Sequence, residues 1–320
     1  MSDPAVAVAP PSASSSAPSR GLRAYAWGVL AYNVAVILWG AAVRATGSGN
    51  GCGDHWPLCN GSVFEHHPTV ASMIEYAHRA TSGVDLVAVI GLLVWTFRGT
   101  AKGHLARIAA VASLIFILNE ALIGALLVLL GMTANNESPA RAAYLSLHLT
   151  NTLLMLAAIA LTAHFLSRRS GFLRGSVERG GMGASIAGLI AIVVTGVTGS
   201  LAALADTLHP ATDLRAAFLQ DFSGRGDWLV RIRWVHPAAA VLAGLFVLVV
   251  MLQGLRTAAH RTIATWVGLL LLAQYALGVA DLTLLTPLSM QILHLLGADL
   301  VWIALVVLAA RLSLRPAAQD

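Results

Sequence analysis

Long apolar stretches alternate along the chain with short polar segments. Each of eight stretches is close to the ~20 residues that an α-helix needs to cross a bilayer. We therefore predict eight transmembrane helices, at 24–43, 77–97, 108–130, 143–166, 184–204, 229–252, 263–285 and 288–308. Residues 1–22 are rich in Pro, Ser and Ala and have no apolar centre, which predicts a flexible tail and not a signal peptide.

The composition supports this interpretation. Hydrophobic residues make up 57% of the 320 positions and charged residues 11%, whereas a soluble domain has roughly 25% charged residues. So little charge cannot cover a water-facing surface, which excludes a soluble enzyme, a disordered chain and a disulfide-rich secreted scaffold. The fold class predicted is an all-α membrane protein.

The net charge of +5 could suggest a nucleic-acid partner, but its distribution does not. The basic residues lie in short segments between apolar runs and form no stripe interleaved with aromatic residues. One alternate set of segments holds most of the Arg residues, and the opposite set holds most of the acids. The positive-inside rule then places both termini in the cytoplasm and the segments 44–76 and 205–228 outside.

The two cysteines, Cys52 and Cys59, both fall in the first outer segment. In an oxidising compartment such a pair can form a disulfide that closes a small loop. Two free thiols are the alternative. A zinc site is disfavoured, because six intervening residues do not match the usual ligand spacing.

An internal repeat relates the two halves of the chain. The segment EYAHR (75–79) corresponds to RWVHP (233–237), and LSLHLT (145–150) corresponds to QILHLL (291–296). A glycine element around Gly124 likewise matches one around Gly278. This duplication predicts two related four-helix bundles, at 23–167 and 183–312, with a cytoplasmic linker at 168–182 and a cytoplasmic tail at 313–320.

One histidine lies in the first third of each of spans two, four, six and eight, so each repeat contributes two: His78, His148, His236 and His294. All four imidazoles are expected at a similar depth, near the outer face. A single such histidine is more often a polar residue that packs between helices, but four matched ones favour a functional role. Two histidines on facing helices can hold a haem iron from both axial sides, whereas zinc usually takes three or four ligands. Small residues beside them leave room for a macrocycle: Gly83, Ala239, Ala240 and Gly297.

Glu75 lies three residues before His78 and shares its helix face. Beside a haem ligand it could act as a general base or an electrostatic stabiliser, or it could pair with a loop arginine. Arg233 takes its place in the second repeat, so the halves are chemically unequal, which suits one reactive site and one electron-transfer site. Arg79, Arg231 and Arg233 suit either haem propionates or lipid headgroups.

Other polar residues have less specific interpretations. Glu120, in the middle of span three, suits either a proton path or a hydrogen bond within the bundle, and the same holds for Asp85, Asp281 and Asp299. Six further histidines lie between the predicted spans and are expected to be solvated: His55, His66, His67, His104, His209 and His260.

Taken together, these segments resemble the haem A synthases of cytochrome oxidase assembly. The most specific are GAAVRATGSG (40–49) and CGDHWPLCNG (52–61), followed in the family's order by the four histidine motifs. The resemblance extends over residues 23–312. It implies eight helices in two pseudo-symmetric bundles and an enzyme that converts haem O to haem A by successive hydroxylations of a ring methyl group to a formyl group.

The resemblance also implies roles for individual residues. His78 and His148 would surround the substrate haem O, and His236 and His294 would hold a permanent haem b. Glu75, the acid three before the first histidine, would be required for activity.

Two features depart from the family pattern. The pair Cys52 and Cys59 looks like the disulfide of many bacterial members, but the corresponding later segment, 205–228, has no second pair. Glu120 stands where the resemblance predicts Gln. The first departure puts in question what stabilises the second half, and the second would alter proton handling.

The implied setting is a bacterial plasma membrane, with haem O synthase and a membrane electron carrier as partners; homo-oligomerisation is left open. Two rival functions remain. A di-haem electron-transfer protein would share the four histidines but would not require Glu75. A transporter would suit the repeat and the buried acids, although neither half shows an obvious broken helix.

Overall fold

The computed structural model describes residues 17–63, 67–133, 136–168, 179–222 and 227–313. Most of the predicted N-terminal tail, of the linker 168–182 and of the C-terminal tail lies outside these residues. The helices are α1 (Arg20–Ala45), α2 (Val70–Gly99), α3 (Leu105–Leu129), α4 (Pro139–Leu166), α5 (Arg179–Leu208), α6 (Leu214–Phe222), α7 (Trp228–Ile232), α8 (Val235–Leu255), α9 (Ala258–Thr283) and α10 (Leu288–Ser313).

Among the described residues, eight helical segments are long and apolar enough to cross a membrane, with α7 and α8 together forming the sixth. The predictions of eight spans and of an all-α fold are confirmed. The helices run several residues past the predicted bounds because polar caps, and not hydropathy, end them. Ser19 Oγ accepts a hydrogen bond from Leu22 N at 3.2 Å, and Thr69 Oγ1 accepts one from Ser72 N at 3.1 Å.

Span six is broken, which corrects the sequence interpretation of unbroken helices. Pro237 has no N–H to donate to the carbonyl of Arg233, four residues earlier, and its ring crowds that carbonyl. Instead, His236 N donates to Arg233 O at 3.2 Å, a tighter turn. The break separates α7 from α8 and places His236 in the first turn of α8. Helix α6, in the segment between α5 and α7, was also not predicted.

Each half forms a closed ring of four spans. In the N-terminal half (α1–α4), α1 contacts α2, α2 contacts α3, α3 contacts α4, and α4 returns to α1. In the C-terminal half (α5–α10), the order is α5, α8, α9, α10 and back to α5. The halves meet through α4 and α10, the two most buried spans. A pseudo-symmetric relation between the two halves stays a prediction.

Large apolar side chains cover the outside of both rings. Leu269 and Leu272 on α9 and Val241 and Leu245 on α8 are all more than half exposed. A soluble protein rarely exposes so much contiguous apolar surface, whereas in a bilayer it contacts lipid. One core, around Leu156, also includes Trp302 and Val306 of α10 and so extends between the halves, and a second core, around Val247, lies in the C-terminal half.

Cys52 and Cys59 form a disulfide in the segment between α1 and α2. Both residues are buried, and Asn60 N donates to Cys52 O at 3.0 Å across the loop that the bond closes. The disulfide prediction is confirmed over the free-thiol alternative. We refer to residues 52–59 as the disulfide loop.

Candidate functional site

The four histidines share one structural feature. Each imidazole lies against a glycine of the preceding long helix, and a methyl group at that glycine would meet the Cε1 atom of the ring. The distances from that methyl position to Cε1 are 3.0 Å for Gly40 to His78, 3.9 Å for Gly124 to His148, 2.9 Å for Gly199 to His236 and 3.0 Å for Gly278 to His294. At Gly40, Gly199 and Gly278 the missing side chain therefore leaves room for the imidazole of the neighbouring helix, whereas the contact at Gly124 is an ordinary one.

Sequence reasoning found only half of these glycines. The echo between Gly124 and Gly278 is visible in the repeat, but Gly40 and Gly199 were not singled out. Gly40 lies in the last third of α1 and Gly199 in the last third of α5, positions that the repeat could have revealed.

The histidine pair of the C-terminal half faces across the ring of helices. The ring centroids of His236 and His294 are 6.3 Å apart, with the planes at 85°. Two imidazoles that bind one metal ion from opposite sides, with metal–nitrogen bonds of about 2 Å, have centroids about 6 Å apart. The pair can thus hold an iron between its rings.

The tautomer of His236 agrees with such a role. Its Nδ1 lies 3.1 Å from the carbonyl oxygen of Thr195, which can only accept a hydrogen bond. The proton is therefore on Nδ1, and the lone pair of Nε2 remains for a metal. A backbone carbonyl behind the second ring nitrogen is the usual support of a metal-binding histidine.

The N-terminal pair has a different environment. His148 Nδ1 is 3.3 Å from a carboxylate oxygen of Glu120. His78 Nδ1 and His148 Nδ1 are both buried and have no hydrogen-bond partner among the described residues.

Glu75 is buried, with 3% of its surface exposed. Cys52 N donates to its Oε2 at 2.9 Å, and Arg79, one turn along α2, pairs with its Oε1. Arg79 also donates to the carbonyls of His55 and Leu58, at 2.6 and 2.7 Å. The disulfide loop thus holds the carboxylate from one side directly and from the other side through Arg79.

Arg233, at the position equivalent to Glu75, belongs to an ion-pair network. It lies 2.7 Å from Asp206 and 2.8 Å from Asp221, and it also donates to the carbonyl of Ala217. Arg79 and Arg233 are both bonded to protein groups, so a role of either toward haem propionates stays a prediction. Arg231 is exposed, on α7.

Arg44 joins the two halves, a role that sequence reasoning missed although the residue lies in the 40–49 motif. From α1 it donates to Ala203 O at 2.7 Å and Thr207 Oγ1 at 2.8 Å on α5, and to Gln291 Oε1 at 2.9 Å on α10. A guanidinium has five donors in a fixed plane, which suits a bridge between several acceptors.

The remaining buried acids differ in their partners. Asp85 Oδ2 accepts a hydrogen bond from Asn33 Nδ2 at 2.6 Å. Asp299 is 2% exposed, and its Oδ2 has no hydrogen-bond partner within the described part of the chain. Neither touches the histidine pairs by any contact in the structure.

The prediction that six outer and inner histidines are solvated is wrong for His104. This residue is 5% exposed and caps α3, since its Nδ1 accepts a hydrogen bond from Ala106 N at 3.1 Å. Burial, helped by Arg107, lowers the pKa of His104. His209 is half-buried near Asp227 and Glu137, and His66 lies outside the described residues.

The fold and the paired histidines thus define a polytopic membrane protein with two candidate ligand-binding bundles. The sequence profile of the COX15-CtaA family, described as cytochrome oxidase assembly protein, matches residues 23–306. The chain belongs to this family.

Individual relatives fall into two groups. Haem A synthases of Alkalihalophilus pseudofirmus and Halalkalibacterium halodurans are both 28% identical, with 83% and 86% of this chain and 89% and 91% of the relatives covered. A protohaem IX farnesyltransferase of Thermus thermophilus is 44% identical over 84% of this chain. The chain spans only 45% of that relative's length.

Proposed function

We propose that this protein is a haem A synthase, which oxidises a methyl group of haem O to the formyl group of haem A by successive hydroxylations. The observation that carries the proposal is the pair of histidines in each ring of helices, each imidazole seated on a glycine. Full-length similarity to haem A synthases supports it.

We assign the two bundles different tasks. His78 and His148 would hold the iron of the substrate haem O, and His236 and His294 would hold a resident haem b. The spacing of the second pair and the Nδ1 proton of His236 fit an iron ligand. When bound, haem b supplies one-electron transfer between the substrate site and a membrane electron carrier.

Glu75 would act on the substrate methyl group. Its two oxygens are held by Cys52 N and by Arg79, so the carboxylate group is held in position before substrate binds. A preoriented carboxylate in a site shielded from water stabilises positive charge that develops at the methyl carbon. The second half has Arg233 at this position, so we assign no oxidation chemistry to it.

The name of the Thermus relative raises farnesyl transfer as a second function. That name describes a whole protein of which this chain matches 45%, whereas the haem A synthases are matched over about nine-tenths of their length. We therefore place farnesyl transfer outside this chain and expect a haem O synthase as the partner that supplies substrate. A bacterial plasma membrane, with both termini cytoplasmic, is the proposed location.

Mass spectrometry of extracted haems tests the function. The full chain would be produced with a haem O synthase in cells that make no haem A, and the haems compared with those of cells lacking the chain. We expect haem A and a hydroxylated precursor only when the chain is present. Bound haem without either product would favour a di-haem electron-transfer protein, and absence of bound haem would favour a transporter.

A further inference from the structure

The repeat places two different side chains at one position of the third span of each half. Glu120 lies four residues before Gly124 on α3, and Gln274 lies four residues before Gly278 on α9. Since residues four apart share a helix face, each lies on the face whose glycine touches a histidine of the next helix. Glu120 and Gln274 thus occupy corresponding positions, but only Glu120 can carry a charge.

The carboxylate of Glu120 is held at His148 by residues of α4. Asn151 Nδ2 donates to Oε2 at 2.5 Å, and Thr152 Oγ1 donates to Oε1. The same Oε1 lies 3.3 Å from His148 Nδ1, a buried nitrogen that makes no hydrogen bond within the described residues and is therefore open to pairing with this carboxylate. Asn151 and Thr152 follow His148 by three and four residues. One turn of α4 therefore carries both the histidine and the two donors that hold the Glu120 carboxylate beside it.

The C-terminal half lacks this arrangement. Gln274 Nε2 lies 3.2 Å from His294 Nδ1 and 3.4 Å from His294 Nε2, and it donates to the His294 carbonyl at 3.0 Å. Three and four residues after His294 stand Gly297 and Ala298, which have no side-chain donor. A methyl group on Gly297 would lie 2.2 Å from Gln274 Oε1, so Gly297 makes room for an uncharged amide.

We propose that Glu120 is a positioning residue for the substrate haem, which makes His148 a stronger electron donor to iron than His294. With Nε2 on the metal, the proton of His148 lies on Nδ1 and faces a carboxylate, whereas His294 faces a neutral amide. Such a carboxylate behind a histidine ligand fixes the ring and raises its basicity. The inference rests on the proposed function, since it assumes that His148 binds the haem of the reactive site.

Redox titration of the full-length protein loaded with hemin tests the inference. Glu120→Gln keeps the shape of the side chain and removes its charge. The variant is measured in the otherwise native chain and in a His294→Ala background, which leaves the N-terminal haem to be observed alone. We expect its midpoint potential to rise, since ferric iron loses more stabilisation than ferrous iron; a tenfold change in that preference is about 59 mV.

Three further measurements make the test specific. Hemin should bind the N-terminal half of Glu120→Gln about 10- to 100-fold more weakly, and the low-spin electron paramagnetic resonance signal should move. Glu120→Asp keeps the charge and should retain most of the native potential, and it serves as the second variant if Glu120→Gln does not fold. Asn151→Ala loosens the carboxylate without removing it and should shift the potential less than Glu120→Gln.

An unchanged potential and resonance signal in Glu120→Gln would overturn the inference, as would equal shifts of both haems. The proposed function is tested separately by haem A production in cells. Native haem A production with no potential shift would refute only the role of Glu120. A shift in a chain that makes no haem A would support the role of Glu120 and refute the proposed function.

Discussion

Each half of the molecule carries two histidines in a ring of four spans, but the polar groups around the two pairs differ. In the first half, α2 runs unbroken through His78 and the disulfide loop holds Glu75. In the second half, Pro237 breaks the span before His236, and Arg233 is paired with two aspartates. In the proposed function, the histidines common to both halves would bind a macrocycle, and the unequal polar groups would separate a reactive site from a passive one.

The largest expected effect is at Glu75, the residue to which we assign the chemistry of the first half. Glu75→Gln should lower haem A production by about 10²- to 10⁴-fold, the range for loss of a group that acts on the reacting atoms, with haem b content unchanged. The amide can still accept from Cys52 N but carries no charge for Arg79. Production would be measured per mole of purified protein.

The matched control is Arg233→Gln, at the equivalent position. It leaves Asp206 and Asp221 without their partner, and breaking a buried ion pair costs about 3–5 kcal/mol. We expect a lower melting temperature but near-native haem A production per folded molecule. If Glu75→Gln also reduced production only in proportion to the folded protein, the proposed inequality of the two halves would fail.

A smaller effect distinguishes how tightly each half seats its rings. Gly278→Ala places a methyl group 3.0 Å from His294 Cε1, whereas Gly124→Ala places one 3.9 Å from His148 Cε1, an ordinary contact. We expect roughly tenfold weaker haem retention in the first variant and no change in the second. The rate of haem loss to excess apomyoglobin measures both, and equal rates would contradict the contact argument.

The smallest expected effect compares the N-terminal turns of α3 and α9. His104 caps α3 through Nδ1, whereas Thr257, which starts α9, makes no side-chain cap bond. Burial lowers the pKa of His104, so the folded state prefers the neutral ring. Its contribution to stability is complete above about pH 6.5, the pKa of an unperturbed histidine, and is lost as the pH falls toward the lowered pKa.

His104→Asn keeps a capping oxygen that does not titrate. We expect this variant to lose less stability than the native chain between pH 7 and pH 5, measured by the melting temperature in one detergent. Thr257→Asn, as the control in the other half, should leave the pH dependence unchanged. Identical pH profiles for His104→Asn and the native chain would show that the cap does not titrate in this range.

Much of this comparison is visible in the sequence. The eight spans follow from apolar runs of bilayer length, and the duplicated histidine motifs identify the four matched positions without any coordinates. Pro237 is visible in the sequence but did not predict a break, because a proline in the first turn of a helix is tolerated. Only the tighter hydrogen bond from His236 N to Arg233 O shows that one helix ends and another starts just before Pro237.

The contacts of the polar residues could not be predicted in the same way. Helical spacing suggests that Glu75 and Arg79 share a face, but not that the backbone of Cys52 completes the grip on the carboxylate. Nothing local to Arg44 indicates that it binds α5 and α10, more than 150 residues away. Likewise, His104 is separated from the apolar runs and looks solvated until the helices around it are packed.

By itself, then, the sequence determined the eight apolar spans, the four similar histidine motifs and the difference in charge between Glu75 and Arg233 at the start of two of them. These properties depend on composition and on spacing along one helix, because a bilayer selects apolar length and a helix repeats every 3.6 residues. The tertiary structure decided which donor faces which carboxylate and how closely each imidazole meets its glycine. Those distances depend on how helices far apart in the chain pack against each other, which no local pattern encodes.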